Sequence, residues 1–382
     1  MHILIIAHGV PSSKDPQWGV FEYDQARALS KKGHKVTIAV VDGRLRLFHR
    51  KIGIHRESKD GIISYVYFFC PHSVFVFPFI IRYVRACMMK GLFQRIVKEQ
   101  GFPDILYAHY LFSMDAARLI RKKYSFFPFI GIEHWSKVST SDMPHDRFMC
   151  AKMAYGMVDR LLAVSPSLQA QIKKHFGKDS EVVYDMIDDV FLETPINLNK
   201  SRKPFRFVSV GSLNEGKGFD VLIQAFSRIS DRDAELVIIG DGSIKESLVR
   251  LIQDLSVQGR VLLKGRLSHE EIVAHLSEAD AYVLASRSET FGVSYVEAMA
   301  MGLPAIATRC GGPESFMNDD CGIVVDVDDV DGLVSAMNRM EEHIDDYSPL
   351  AIREYVRSRF SGEVIAKQLE SIFEEEIKAK RA

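Results

Sequence analysis

The sequence predicts an α/β protein of two domains, each built on a doubly wound parallel sheet, facing each other across a cleft. Three observations lead there. The chain has 382 residues, more than the roughly 250–300 at which a single core stops growing. Short apolar runs alternate with amphipathic stretches, the pattern of βαβ units. That alternation stops at one polar stretch, TPINLNKSRKP from Thr194 to Pro204, and then restarts.

In the first half, HILIIAH (2–8) reads as a buried strand. GVFEYDQARALSKKG (19–33) is a helix closed by Gly33, and HKVTIAVVD (34–42) is a second strand. Further strands are predicted at DILYAHY (104–110), PFIGIEH (128–134), RLLAVS (160–165) and EVVYDMID (181–188). After the linker come strands at RFVSVG, AELVIIGDG, RVLLKGR, AYVLAS and PAIATR, separated by helices beginning at Phe219, Ile244, His269 and Ser294. Ligands of open parallel sheets sit at the carboxyl ends of the strands, so the segments following these strands are where chemistry is expected.

Composition narrows the class. With 47% hydrophobic and 26% charged residues the chain is that of an ordinary globular protein. A net charge of −1 argues against a nucleic-acid-coating role, and no nucleic-acid motif is present. The near-neutrality hides an asymmetry. Residues 1–195 hold 27 basic and 19 acidic side chains, and the rest hold 22 and 31. Five scattered cysteines without a CxxC pair encourage neither disulfides nor a zinc site, and a reducing cytoplasm fits best. The opening MHILIIAHG reads as a strand and not as an export leader. The uncharged run from Ile62 to Ile81 is long enough to span a bilayer, but Pro71, Pro78 and His72 argue against it.

Two segments carry the chemistry. In VSVGSLNEGKGFDVL, Gly211, Gly216 and Lys217 satisfy GxxxxGK between a strand and a helix, which reads as a phosphate loop. Such a loop ends in a Ser or Thr whose hydroxyl binds magnesium, and Gly218 stands there instead. A glycine-rich turn with a cationic Lys217 remains, suited to phosphate oxygens. In SRSETFGVSYVEAMAMGLPAIATRCGGPE, Glu289 and Glu297 stand eight residues apart, the first in a loop and the second within the following helix. Carboxylates there would accept from sugar hydroxyls. The amides of Phe291, Gly292 and Val293 at the helix start would suit an anion such as a diphosphate.

Together these segments resemble the retaining glycosyltransferases of family 4. The resemblance rests on E-x7-E from Glu289 to Glu297, SETFG, VGSLNEGKG and GLPAIATRCGGPE. It is extended by PQWGVFEYDQARALSKKGHKVTI, PDILYAHY and PFIGIEH in the first half. It implies two Rossmann-like domains in the GT-B arrangement: an acceptor-binding domain over 1–195, a nucleotide-sugar-binding domain over 204–362, and a final helix over 363–382 crossing back to the first. It implies catalytic roles for His134, Glu289 and Lys217. Glu297 would accept from the donor ribose, Glu289 would contact the donor sugar, and Lys217 would neutralise the diphosphate. Gly19 would let the first loop approach that diphosphate, and His134 would lie against the transferred sugar. His109 would lie near the acceptor. Ser212 stands where the family often has an arginine, and loops near Gly240 and Arg266 would contribute to base recognition. Trp135 and Asp185 are further departures, Asp185 replacing an asparagine. A UDP- or GDP-sugar donor, a glycan or polyprenyl/lipid-linked acceptor, and no metal or cofactor are implied. The competing readings are a P-loop nucleotidase and a non-catalytic nucleotide-sugar binding protein.

The positive excess lies in one place. From Arg44 to Lys98 there are 11 basic and two acidic residues, interleaved with Phe68, Phe69, Phe75, Phe77 and Phe79. Such a segment suits an anionic membrane surface, placing the protein at the inner face of the cytoplasmic membrane, or else its phenylalanines are core and its charges a solvated face.

Overall fold

The computed structural model describes residues 1–13, 15, 18–44, 51–69, 78–139, 143–198 and 203–381. They form two units, Met1–Met186 with Gly362–Ala382, and Ile187–Ser361.

The first unit is a sheet of β1 (His2–Ala7), β2 (Lys35–Asp42), β3 (Gly53–Lys59), β4 (Ile62–Phe68), β5 (Ile105–His109), β6 (Phe129–Glu133), β7 (Arg160–Ala163) and β8 (Glu181–Val182). Their spatial order is β3-β4-β2-β1-β5-β6-β7-β8. Strands β1, β5 and β6 are buried along their whole length, which is why they read as unbroken apolar runs and not as alternating ones. Among the described strands of this sheet only β3 runs antiparallel, pairing Gly53 with Phe68 and Lys59 with Ile62. Asp60 and Gly61 close that hairpin with φ of 53° and 75°, the two-residue turn whose twist matches the strands. The uncharged run from Ile62 therefore begins as a sheet strand, and its last residues, Pro78 to Ile81, open the helix Pro78–Gln100. Among the described residues no helix is long and apolar enough to cross a membrane. Residues 70–77, with Phe75 and Phe77, lie outside the described residues.

The second unit holds β9 (Arg206–Val210), β10 (Glu235–Ile239), β11 (Val261–Gly265), β12 (Ala281–Val283), β13 (Ala305–Thr308) and β14 (Gly322–Val325), all parallel, in the order β11-β10-β9-β12-β13-β14. Both units thus have the doubly wound form predicted. In each, the strand order reverses beside the first strand: between β1 and β5, and between β9 and β12.

The boundaries differ from those predicted. The first unit ends at Met186 and not at 195, because 187–195 pack with the second. There the Ile187 amide donates to the Phe360 carbonyl at 3.1 Å, Arg357 reaches the Leu192 carbonyl, and Phe191 is fully buried. The apolar residues of this stretch outweigh the polar linker signal, which survives only beyond Glu193. Gly362 belongs to the first unit and not to the second, since a Cβ there would lie 2.6 Å from the Met186 side chain. The helix Gly362–Arg381 packs within the first unit. Glu370 pairs with Lys32 and His34, Glu375 with Arg160, and Phe373 meets Tyr107 edge-on.

Candidate active site

In the second unit the predicted residues gather at the strand-order reversal. Lys217 follows β9 in a single 3-10 turn, Glu215–Lys217, and Glu289 follows β12. The Lys217 Nζ lies 2.6 Å from Glu289 Oε1, which also accepts from Ser286 Oγ at 2.7 Å. Both groups keep some exposure, 24% for the Lys217 side chain and 10% for Glu289. The Glu289 backbone is locked to the neighbouring loop: its amide donates to the Cys310 carbonyl and its carbonyl accepts from the Gly312 amide. Glu289 therefore sits on a two-sided backbone clamp.

The turn carrying Lys217 is fixed by crowding. Gly218 is left-handed, with φ of 60°, and a Cβ there would lie 1.9 Å from the Ala285 carbonyl oxygen. No serine or threonine fits, so the magnesium-binding hydroxyl of a phosphate loop has no place here, and the nucleotidase reading loses its basis. Arg287 completes the turn, and sequence reasoning missed it. Its guanidinium grips Asp220 with two bonds of 2.8 and 3.1 Å, Asp328 at 2.7 Å and the Glu215 carbonyl at 2.5 Å. Hydrogen bonding to Asp220 pushes the Arg287 pKa above its ordinary value. Burial would raise the Asp220 carboxyl, but Arg287 reverses this and leaves it lowered.

The remaining predicted residues divide. Gly292 caps the helix Val293–Ala300, so the amides of Phe291, Gly292 and Val293 stand at its start; the Phe291 ring is core, against Phe316 and Phe360. Glu297 lies in the middle of that helix, half-buried. Ser212 and Arg266 are exposed, after β9 and β11 respectively.

In the first unit Gly19, His109 and His134 gather at the corresponding reversal. Gly19 caps the helix Val20–Lys31 with φ of 80°, and a Cβ there would lie 2.3 Å from Gly9 backbone atoms. The loop's own packing demands this glycine. His109 ends β5, and the next residue, Tyr110, has φ of 64°, a strained left-handed conformation for an aromatic residue. His134 follows β6. Its Nδ1 lies 2.8 Å from Asp185 Oδ1 and its Nε2 lies 3.1 Å from His109 Nδ1, with the two imidazoles stacked 5.2 Å apart. Both ring nitrogens of His134 are thus engaged inside the unit. The side chain expected against a sugar is occupied, and its ring is nearly closed off. Asp185 is its partner.

Burial pulls the His134 pKa down, but the Asp185 carboxylate, aided by Glu22 and Glu133, leaves it raised. His109 is pushed well below its ordinary value by complete burial, then by His134 and His8. Beneath them Glu133 is fully buried and accepts from the amides of Leu111 (2.9 Å), His134 (3.0 Å) and Trp135 (3.0 Å) and from the Tyr155 hydroxyl (2.8 Å). Burial raises its pKa against the pull of those donors. This carboxylate ties both histidine-bearing loops together. A pocket of about 270 Å³ opens nearby, lined by the Gly9–Ser13 loop, Trp18, Asp42, His55, Glu57 and Phe68.

Family profiles match both halves of the chain. The family profile "Glycosyltransferase Family 4" matches residues 19–191, and "Glycosyl transferases group 1" matches residues 192–359. The chain belongs to the family-4 glycosyltransferases. The two profiles meet within five residues of the boundary between the units. A putative teichuronic acid biosynthesis glycosyltransferase, TuaC, of Bacillus subtilis is 26% identical over 89% of each chain. The N-acetyl-alpha-D-glucosaminyl L-malate synthase of Bacillus anthracis is 29% identical over 52% of this chain and 54% of its own. The chain thus spans about half the length of that relative. Among solved structures, the sucrose-phosphate synthase of Thermosynechococcus elongatus superposes with a TM-score of 0.80 over 99% of each chain at 19% identity. The lipopolysaccharide outer core galactosyltransferase WaaB does so with a TM-score of 0.71 over 98% of this chain and 100% of its own, at 22% identity. This family-4 glycosyltransferase therefore shares their fold, and its relatives include glycosyltransferases named for bacterial surface polysaccharide synthesis.

Proposed function

We propose that this glycosyltransferase is a retaining hexosyltransferase. It would move a sugar from a UDP- or GDP-sugar, held by the second unit, to a glycan or a polyprenyl- or lipid-linked acceptor received by the first. The observation that carries this is the Lys217–Glu289 pair, held 2.6 Å apart at the strand-order reversal by Gly218, Arg287 and the Cys310–Gly312 loop. In transfer from a nucleotide sugar, negative charge builds on the departing diphosphate. A fixed cation and helix-start amides aimed at that charge lower the barrier without any movement at the moment of reaction. Lys217 and the amides of Phe291, Gly292 and Val293 fill this role, Glu289 meets the sugar hydroxyls, and Glu297 meets the ribose. The pocket beside Trp18 suits part of the acceptor. Catalysis by Lys217 and amides calls for no divalent cation, so turnover is expected to persist in EDTA.

A thermal-shift panel of UDP, GDP, ADP and their sugars tests the reading, because a ligand that binds only the folded state raises its melting temperature. One nucleotide series is expected to stabilise the protein, and Lys217→Ala is expected to weaken that effect. No shift with any of them would overturn the reading. The anomeric configuration of the product, read by NMR, tests retention.

A peripheral position at an anionic membrane is supported by one face of the helix Pro78–Gln100. There Phe79 and Tyr83 are 65% and 57% exposed, beside exposed Ile80 and Val84. No acidic residue occurs from Pro78 to Lys98. The charge available is smaller than the sequence window suggests, because Arg44 is tied to Asp42 and Asp15, Arg82 to Asp115, and Arg95 to Glu99. Flotation with phosphatidylglycerol vesicles is expected to carry the protein at low salt, with Phe79→Ser/Tyr83→Ser abolishing it; wild type left at the bottom of the gradient would sink the membrane position.

A further inference from the structure

Asp185, His134 and His109 make an unbroken chain in the first unit: Oδ1 to Nδ1 at 2.8 Å, then Nε2 to Nδ1 at 3.1 Å. It ends on His109 Nε2, a buried nitrogen that no protein group meets among the described residues. All three side chains are buried: His109 is fully enclosed, His134 is 8% exposed and Asp185 is 5% exposed. The contact between the two imidazoles needs one proton and only one, since two lone pairs repel and two N–H groups clash.

That requirement couples the rings. With Asp185 ionised and His134 Nδ1–H donating to it, the shared proton has two places. On His109 Nδ1, it leaves His134 neutral and His109 Nε2 as a bare lone pair. If a proton then binds His109 Nε2, the Nδ1 proton crosses to His134 Nε2. His109 stays neutral, now with its N–H on Nε2, and His134 becomes an imidazolium beside Asp185. One proton enters, one N–H bond breaks and two form, and the positive charge comes to rest where a carboxylate faces it. His109 alone is a poor base, because full burial penalises its charged form. The chain removes that penalty by never leaving the charge on His109.

We propose that Asp185, His134 and His109 take up and release one proton as a unit, with His109 Nε2 as the port and Asp185 as the positioning residue that anchors the charge on His134. An asparagine at 185 could still accept from Nδ1–H but would bring no charge, so the Asp185 carboxylate is what makes the chain a proton store. The groups facing it are few. Glu22, Glu133 and Tyr110 surround His134, and Tyr107 and His8 flank His109. His8 is held by Glu22 and packs edge-on to Tyr110. Glu22 and Glu133 favour the His134 cation in the same direction as Asp185, whereas His8, if charged, opposes uptake.

The coupling itself is independent of the reaction proposed above; any part in turnover rests on it. The test is a pH titration of the full chain with 15N-labelled histidine, the signals assigned with His109→Gln and His134→Gln. In wild type both rings are expected to change at one shared midpoint, with His109 Nε2 passing from lone pair to N–H as His134 becomes cationic. In Asp185→Asn that midpoint is expected to fall by about one pH unit or more. Separate midpoints for the two rings in wild type, or a His109 Nε2 that never changes state between about pH 5 and pH 9, would overturn the proposal without touching the glycosyltransferase reading. If turnover uses the store, the acid limb of the kcat profile moves with the same midpoint in Asp185→Asn. An unmoved limb would confine the chain to a resting proton site.

Discussion

The two units place their polar groups in corresponding positions and treat them in opposite ways. At the reversal in the second unit, Lys217 and Glu289 keep a share of solvent and are paired with each other, held by backbone crowding and by Arg287. At the reversal in the first, His109, His134 and Glu133 are sealed: Glu133 is satisfied by amides and a hydroxyl and His134 by Asp185 and His109, while His109 Nε2 alone has no partner among the described residues. In the function proposed above, the first arrangement exchanges one partner for a ligand. The second stores its polarity in a network whose members depend on one another, so removing one leaves others orphaned at high cost. A part-exposed pair is therefore expected to show itself in function, and a sealed network in stability.

The largest effect expected from this contrast is on the sealed side. Glu133→Ala strips three amides and the Tyr155 hydroxyl of their acceptor, and chemical denaturation is expected to report a loss of about 3–5 kcal/mol. A loss below about 1 kcal/mol would show the network to be dispensable. Next, Gly218→Ser restores the residue type of a phosphate loop but forces a Cβ into the Ala285 carbonyl. Destabilisation by about 2–3 kcal/mol is expected, with no ATP or GTP hydrolysis gained. For the part-exposed pair, Lys217→Ala is expected to lower kcat/KM by about 100-fold or more, while folding stability changes by no more than about 1 kcal/mol. If stability fell and turnover did not, the contrast between the units would be reversed. Arg287→Ala, which loosens the turn without touching a ligand, is expected to weaken nucleotide binding by about tenfold, read as a smaller thermal shift.

The smallest effect is a pH dependence. His134 has a raised pKa in the folded protein, so its proton contributes stability that is fully present below the unfolded value of about 6.5 and is lost as pH rises through the folded value. The gap in melting temperature between wild type and Asp185→Asn is therefore expected to be widest near pH 6 and to narrow toward pH 9, at roughly the scale of one proton's linkage. The lowered pKa of His109 acts in the opposite sense at low pH.

How much of this was legible in the sequence follows from how far each signal reaches along the chain. Strands such as Phe129–Glu133 and Ala305–Thr308 are buried throughout, so they appear as plain apolar runs. The strand Gly53–Lys59 escaped because five of its seven residues are exposed and polar, which leaves no alternation to detect. The Asp60–Gly61 turn beside it was the available clue. The strand Gly322–Val325 escaped because four residues carry no period. Lys217, Glu289 and Glu297 were expected from local spacing and the family resemblance, and the structure brings the first two into contact. Arg287 was missed because its partner Asp220 lies 67 positions away, and the link between His134 and Asp185 because it spans 51. Charge counted in a window misled for the same reason: Asp42, Glu99 and Asp115, which pair with Arg44, Arg95 and Arg82, all stand outside it.

The return of the last helix to the first unit has a topological consequence. The second unit is an insertion, entered after Met186 and left before Gly362, and its first amide is bonded to the carbonyl of Phe360 at its other end. The two passages between the units therefore run side by side, and a protease that cut either one would leave both halves still joined through the other.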